Sequence, residues 1–137
     1  MINLVDIVEI MKPITSWAEV TNKGSFENYA RYYFSNLWGV ALTKSTANIS
    51  GAAKKEFDLV TSDQTYIGDA KWYGNSGSGK NSTIAEYVWL LKETRAKRQF
   101  LVFGNDVSCA RGFLKRYRAL VAPVEFYFLD GRGHHTL

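Results

Sequence analysis

Three charged residues in two short segments could together hydrolyse a phosphodiester bond. Asp58 is followed, after ten residues, by Asp69-Ala70-Lys71, and β-forming residues surround both segments. A polar turn around Asp63-Gln64 separates the segments, which predicts a hairpin. In such a hairpin, residues whose numbers sum to 127 lie opposite each other, so Asp58 faces Asp69. Residues two apart share a strand face, so Lys71 joins both carboxylates.

Two carboxylates that face each other repel, and a divalent cation between them removes that cost. Mg²⁺ prefers one or two carboxylates together with water and phosphate oxygens, and Mn²⁺ is an alternative. The Lys71 ammonium beside the cation would neutralise charge that develops on a phosphate. The pattern therefore predicts metal-assisted phosphodiester hydrolysis, in which a metal-bound water attacks a polarised phosphate.

The same residues also admit an ordinary interpretation. Asp58 and Asp69 could face solvent, with Lys71 as their ion-pair partner. The apolar neighbours Phe57 and Leu59 argue instead for a largely buried hairpin. Buried carboxylates without a function are uncommon, so we favour the catalytic interpretation.

A third acid could complete this site, and the sequence leaves two candidates. Glu27 lies at the edge of the apolar face of a predicted helix, from which it could reach a neighbouring sheet. Glu27 and Arg31 also have the spacing of a surface ion pair along a helix. Glu56 is the competitor, because it lies two residues from Asp58 in the predicted strand.

The remaining pattern predicts the elements that position these residues. Apolar residues recur at helical spacing from Ser25, and Gly39 ends that helix. Three strands follow, then a helix in which Thr83 and Glu86 suggest a capping box. We expect an α/β fold of order α-β-β-β-α-β-α-β, in which helices flank a mixed sheet. We expect residues 1–137 to form one domain, in which residues 1–22 are an N-terminal helical extension. The predicted strands cover 40–49, 56–61, 65–73, 99–103 and 124–129. The later helices are predicted to cover 83–96 and 106–119.

The segment from Ser25 to Gly104 resembles the PD-(D/E)xK nuclease superfamily. Glu27, Asp58, Asp69 and Lys71 carry the resemblance. The acid on the leading helix makes the arrangement similar to archaeal Holliday-junction resolvases. The resemblance implies a restriction-endonuclease-like fold and Mg²⁺-dependent cleavage, with Asp58, Asp69 and Glu27 as metal ligands and Lys71 as the catalytic cation. The sequence departs from the pattern in two places, since Phe57 replaces the name-giving proline and an extra segment precedes the leading helix.

Basic residues predict a nucleic-acid partner. The chain contains 17 Lys and Arg against 13 Asp and Glu, a net charge of +4. Several lysines flank the proposed site in sequence, and a basic stripe follows one face of the last helix, although such a stripe is also typical of a solvated face. The predicted contacts are Lys44, Lys54, Lys55, Lys80, Arg111, Lys115 and Arg118.

Composition excludes several other classes of protein. A single cysteine, Cys109, excludes an internal disulfide, and no apolar run is long enough for a membrane helix. The N-terminus lacks the features of a secretory signal, so we expect a cytoplasmic protein without a membrane partner. Adjacent His134 and His135 are interpreted as part of a flexible tail.

We therefore predict a Mg²⁺-dependent endonuclease that acts on DNA, with structure-specific cleavage as one form of that activity. The alternatives are a toxin or effector RNase of the same fold and an inactive nucleic-acid-binding module. A cut through both strands needs two sites, which predicts a homodimer. The segment from Val124 to Leu129 is the expected pairing edge, unless it is an interior strand.

Overall fold

A six-stranded mixed sheet forms the centre of the fold. The structure is a computed structural model that describes residues 13–74 and 80–137. The strands lie side by side in chain order; β1, β2 and β3 are antiparallel, β3, β4 and β5 are parallel, and β6 is antiparallel to β5. The strands are β1 (Thr43–Asn48), β2 (Lys54–Val60), β3 (Tyr66–Tyr73), β4 (Arg98–Asn105), β5 (Glu125–Asp130) and β6 (Gly133–Thr136).

Helix α1 (Lys23–Trp38) covers one face of the sheet. Its start is capped by Asn22, whose side chain accepts a hydrogen bond from the Ser25 amide, and its end is Gly39 in the left-handed conformation. The buried stripe Phe26, Ala30 and Phe34 packs against apolar side chains of the central strands. This packing fixes the rotation of α1 and therefore the direction in which its polar edge points.

Helices α2 (Asn81–Lys92) and α3 (Ser108–Val121) cover the opposite face. Ile84 and Leu91 of α2 and Phe113 of α3 belong to one cluster with Leu101 and Phe103 of β4. The sheet is therefore buried on both sides where its strands are parallel, as expected for a parallel sheet flanked by helices. None of the helices in the described ranges is both long and apolar enough to cross a membrane.

The predicted mixed sheet with flanking helices is present, and some elements begin at other residues than the sequence predicts. Helix α2 begins two residues before Thr83, and no side chain caps its start at Lys80. Residues 1–12 of the predicted helical extension lie outside the described residues, and within 13–22 the helical structure is a short 3-10 helix, Trp17–Glu19.

The C-terminal residues form a strand instead of the expected flexible tail. The chain turns after Asp130 and returns as β6, where His135 pairs with Phe128 in the ladder. His134 is held by the Tyr33 hydroxyl, which lies 2.7 Å from its Nδ1. Because β6 covers it, β5 is an interior strand between β4 and β6, and the expectation that Val124 to Leu129 forms a free pairing edge is wrong.

Candidate active site

The hairpin of β2 and β3 has the register that the sequence predicts. Leu59 pairs with Gly68 and Val60 with Ile67, so opposite residues sum to 127. The backbone pairing between the two strands ends there. Beyond it, two carboxylates accept hydrogen bonds from backbone amides of the opposite strand. The Asp58 amide donates to Asp69 Oδ1 at 2.9 Å, and the Ala70 amide donates to Asp58 Oδ2 at 3.0 Å. The structure therefore brings Asp58 and Asp69 together, where side-chain oxygens accept hydrogen bonds from the opposite strand.

A β-bulge in β2 lies next to this break in the β2–β3 ladder. Thr43 of β1 pairs with Val60, whereas Ser45 pairs with Phe57, so β2 has one extra residue in this stretch. As a result Phe57 packs towards α2 and α3, while Leu59, two residues later, packs towards α1. A bulge bends its strand and re-aims side chains, and here it lies between Phe57 and Val60, the stretch that contains Asp58.

Lys71 completes a buried charged cluster with Asp69. Its ammonium lies 2.7 Å from Asp69 Oδ2, and the side chains of the pair are 10% and 6% exposed. The same ammonium lies 3.2 Å from the centre of the Tyr87 ring of α2. We call Asp58, Asp69 and Lys71 the carboxylate–lysine site. Burial of this kind excludes the ordinary interpretation of a solvent-facing ion pair.

Burial dominates the electrostatics of the site. Burial raises the pKa of Asp69 to about 7; the Asp58 carboxylate adds to the increase, and the Lys71 ammonium opposes it. Burial also raises the pKa of Glu27, and Asp58 again adds to the increase. Burial raises the pKa of the Tyr73 hydroxyl to about 12. A cation near Asp69 would stabilise the ionised form of its carboxyl.

Of the two candidate third acids, Glu27 is the buried one. Its side chain is 9% exposed and lies 3.9 Å from Lys23, one helical turn earlier. The expected partner Arg31 instead reaches β2, where its Nη1 donates to the Asp58 carbonyl at 3.0 Å. The side chain of Glu56 is 59% exposed and lies 3.9 Å from Lys44. The arrangement therefore associates Glu27, and not Glu56, with Asp58.

The donor set determines what kind of metal site is possible here. Within residues 13–74 and 80–137, no group of three or more His, Cys, Asp and Glu side chains is placed to hold a metal ion. Glu27, Asp58 and Asp69 are therefore not arranged as three direct ligands. Two adjacent carboxylates, Asp58 and Asp69, do fit a Mg²⁺ ion that keeps several waters and takes phosphate oxygens from a substrate.

The predicted nucleic-acid contacts divide into two groups. Lys55 and Lys80 lie near the site, 5.5 Å from the Tyr87 ring and 5.2 Å from the Tyr73 ring. Lys44 lies on the Glu27 side, where its charge lowers the Glu27 pKa, and Lys54 is exposed at the start of β2. The other three, Arg111, Lys115 and Arg118, lie together on α3 beside the C-terminal Thr136 and Leu137, so they are not gathered at the carboxylates.

Sequence reasoning did not identify two residues that contact the site. The i+4 spacing of Arg31 from Glu27 indicates an ion pair along the helix and gives no sign of the contact with the Asp58 carbonyl. Tyr87 lies three residues after the buried Ile84 in α2, so helical periodicity places it on the face that meets the sheet. That periodicity alone does not indicate which strand residue it meets.

Comparison of the chain with protein-family models, with curated proteins and with solved structures finds no match in any of the three.

Proposed function

We propose that this protein is a Mg²⁺-dependent endonuclease that hydrolyses phosphodiester bonds in DNA, with the restriction-endonuclease-like fold of the PD-(D/E)xK superfamily. One observation carries the proposal. Asp58 and Asp69 meet where the β2–β3 ladder ends, and the Lys71 ammonium lies 2.7 Å from the second carboxylate. Buried acids beside a buried cation are costly to fold, which is typical of a functional site.

Each residue has a defined part in the proposed reaction. Asp58 and Asp69 would hold Mg²⁺, which supplies a water of lowered pKa and polarises the phosphate. Lys71 neutralises the charge that develops on the phosphate oxygens in the transition state. Glu27 completes the acidic site behind Asp58, and Arg31 holds the Asp58 backbone in place through its carbonyl.

The lysines around the site support a polyanionic substrate. Lys44 lies on the α1 side of the carboxylates, and Lys55 and Lys80 lie on the α2 side. Positive charge on both sides of an acidic centre suits a nucleic-acid backbone, because the lysines offset the repulsion between phosphate and carboxylate. DNA, and not RNA, is the substrate proposed.

The test is a cleavage assay with plasmid, branched DNA and tRNA, each with Mg²⁺ and with a chelator. We expect DNA to be cut only with Mg²⁺ and Asp69→Asn to remove cleavage. The matched control is Asp106→Asn, because Asn can replace the Asp106 side chain that accepts the Ser108 amide hydrogen bond. Cleavage of tRNA alone would replace the DNA proposal with an RNase, and metal-independent binding without cleavage would replace it with a binding module.

The proposal includes a homodimer, since one site per chain cuts one strand. We expect sedimentation at micromolar concentration to give the mass of two chains and plasmid to be linearised without an accumulated nicked form. The interior position of β5 means that the chains must pair through another surface. A monomer that linearises plasmid in a single step would contradict the need for pairing.

A further inference from the structure

We propose that Tyr87 is a positioning residue that seats the Lys71 ammonium against Asp69 through the face of its ring. This inference rests on the proposed function, because the position of Lys71 matters only if Lys71 acts on a substrate. It assigns a part to a helix residue that belongs to neither strand of the hairpin.

The geometry around the ammonium carries the inference. Lys71 Nζ lies 2.7 Å from Asp69 Oδ2 on one side and 3.2 Å from the Tyr87 ring centre on the other. A cation within about 6 Å of a ring centre is attracted by the negative face of the ring. The ammonium is therefore held between two partners. The Asp69 carboxylate alone would leave the direction of the lysine side chain loosely fixed.

Burial makes the ring more important than a surface contact would be. The Lys71 side chain is only 10% exposed, so few waters can replace a lost partner. Cation–π attraction is strongest where the cation is desolvated. Without the ring, the flexible lysine side chain would gain alternative rotamers, and fewer molecules would present the ammonium where a phosphate would lie.

Tyr87 also connects the site to a second cation. Its ring lies 5.5 Å from Lys55 Nζ, so two lysines approach the same aromatic ring. Lys55 belongs to β2, Lys71 to β3 and Tyr87 to α2. The Tyr87 side chain therefore contacts lysines from both strands beside the carboxylates. The packing of α2 on the sheet thus sets the position of the Lys71 ammonium.

Tyr87→Leu and Tyr87→Phe test the inference by steady-state cleavage of DNA with Mg²⁺. We expect Tyr87→Leu to lower kcat about tenfold or more with little change in KM, because the ammonium acts in the transition state. We expect Tyr87→Phe, which keeps the ring face, to restore kcat to within a few-fold of wild type. The matched control is Tyr117→Leu, since Tyr117 is a half-exposed helix tyrosine that packs on Phe113, away from the carboxylates.

Thermal unfolding separates positioning from simple packing. Suppose that Tyr87→Leu and Tyr117→Leu lower Tm by a similar amount, and that the loss of activity in Tyr87→Leu follows that fall in Tm. The role of Tyr87 would then be structural and the inference wrong. The inference would also be wrong if Tyr87→Leu kept the wild-type kcat, or if Tyr87→Phe were as slow as Tyr87→Leu.

An activity-independent measurement distinguishes failure of this inference from failure of the proposed function. In protein labelled with ¹³C at the lysine ε carbon, we expect a ring-current shift of the Lys71 signal that disappears in Tyr87→Leu; Lys71→Arg assigns the signal. Absence of that shift in wild type would overturn the seating by Tyr87. If the shift is present but no nucleic acid is cut, the proposed function has failed and the role of Tyr87 in cleavage fails with it, while the seating itself is established.

Discussion

Lys71 and Asp69 form a buried ion pair, which is an expensive way to stabilise a protein. Desolvation of two charges often exceeds the attraction between them, and apolar residues of similar volume would pack at lower cost. The cost is higher here because Asp58 adds a second carboxylate within the same hairpin. If the proposed function is right, these charges act in catalysis, and substitution of Lys71 and of Asp69 can each test that role.

Lys71→Ala should remove cleavage while leaving nucleic-acid binding nearly unchanged. The ammonium is assigned to charge that develops in the transition state, so its loss should lower the cleavage rate by about 100-fold or more. The measurement is single-turnover cleavage beside a binding assay, with the exposed Lys97→Ala as the control. A Lys71→Ala protein that retains a near wild-type rate would show that another group neutralises the phosphate.

The raised pKa of Asp69 predicts how the proposed Mg²⁺ would stabilise the fold at different pH. The folded pKa is about 7 against an ordinary value of 3.8, so in the absence of metal the contribution of Asp69 to stability is fully present below about pH 4 and is lost as the pH rises through 7. The proposed Mg²⁺ would bind the ionised carboxylates, so it should raise Tm more at pH 8 than at pH 5.

Differential scanning fluorimetry with Mg²⁺ or a chelator checks that difference. The dependence on pH should vanish in Asp69→Asn and persist in Asp106→Asn, because Asp106 lies outside the carboxylate–lysine site. An equal increase in Tm at both pH values would mean that Mg²⁺ binds elsewhere or does not compete with protons at Asp69.

The sequence predicts part of this site for a simple physical reason. Pairing in a short hairpin is fixed by its turn, so the approach of Asp58 to Asp69 follows from counting residues. The β-bulge could not be predicted in that way, because it depends on how β2 pairs with β1 as well as with β3. The contact between Tyr87 and Lys71 depends on how α2 docks on the sheet, which helical periodicity does not determine.

At the scale of elements, α1 is connected to the site through both packing and hydrogen bonding. Phe26 packs on β4 next to Gly104, and its neighbour in sequence is Glu27. One turn later Arg31 donates to the Asp58 carbonyl. A shift of α1 relative to the sheet would therefore move Glu27 and loosen the β-bulge together.

Gly104→Ala should produce such a shift. A Cβ atom at Gly104 would lie 2.4 Å from the buried Phe26 ring, so the helix must move or the ring must leave its rotamer. We expect a loss of about 1–3 kcal/mol in the free energy of unfolding, together with slower cleavage. Gly112→Ala is the matched control, since nothing lies within 4 Å of that position in α3. Alanine there should stabilise the helix by up to about 1 kcal/mol.

Chemical denaturation followed by circular dichroism measures both glycine variants. Equal stability of Gly104→Ala and wild type would show that Phe26 can yield without cost, and the proposed connection between α1 packing and the site would then lack support.

The sequence predicts which segments form strands better than it predicts which strands lie side by side in the sheet. The apolar run of β5 indicates a strand, but its interior position depends on β6, a four-residue strand whose Gly133 and two histidines lack an apolar pattern. β6 is held instead by tertiary contacts, in which the Tyr33 hydroxyl accepts the His134 amide hydrogen bond. Such contacts join residues about a hundred positions apart in the chain and leave no local signal.

At the scale of the whole molecule, the charged surfaces lie at different parts of the sheet. The carboxylates lie between β2 and β3, whereas the basic stripe of α3 lies beside the end of β6. Neighbouring strands are about 4.8 Å apart, so β3 and β6 are separated by roughly 15 Å across the sheet. The lysines nearest the site should therefore contribute most to the phosphate contacts of the strand that is cut.

The double variant Lys55→Ala/Lys80→Ala should weaken DNA binding and reduce its dependence on salt. Each phosphate contact that is lost lowers the slope of log affinity against log salt by about 0.9, so the slope should fall by about 2. The matched control is Arg95→Ala/Lys97→Ala, which removes the same charge beside the β2–β3 turn, where Asp63 and Gln64 lie. We expect fluorescence anisotropy over a salt series to give a near wild-type slope for the control pair. Equal losses of slope in the two double variants would mean that binding responds to net charge alone and that the lysines beside Tyr73 and Tyr87 have no special position on the DNA.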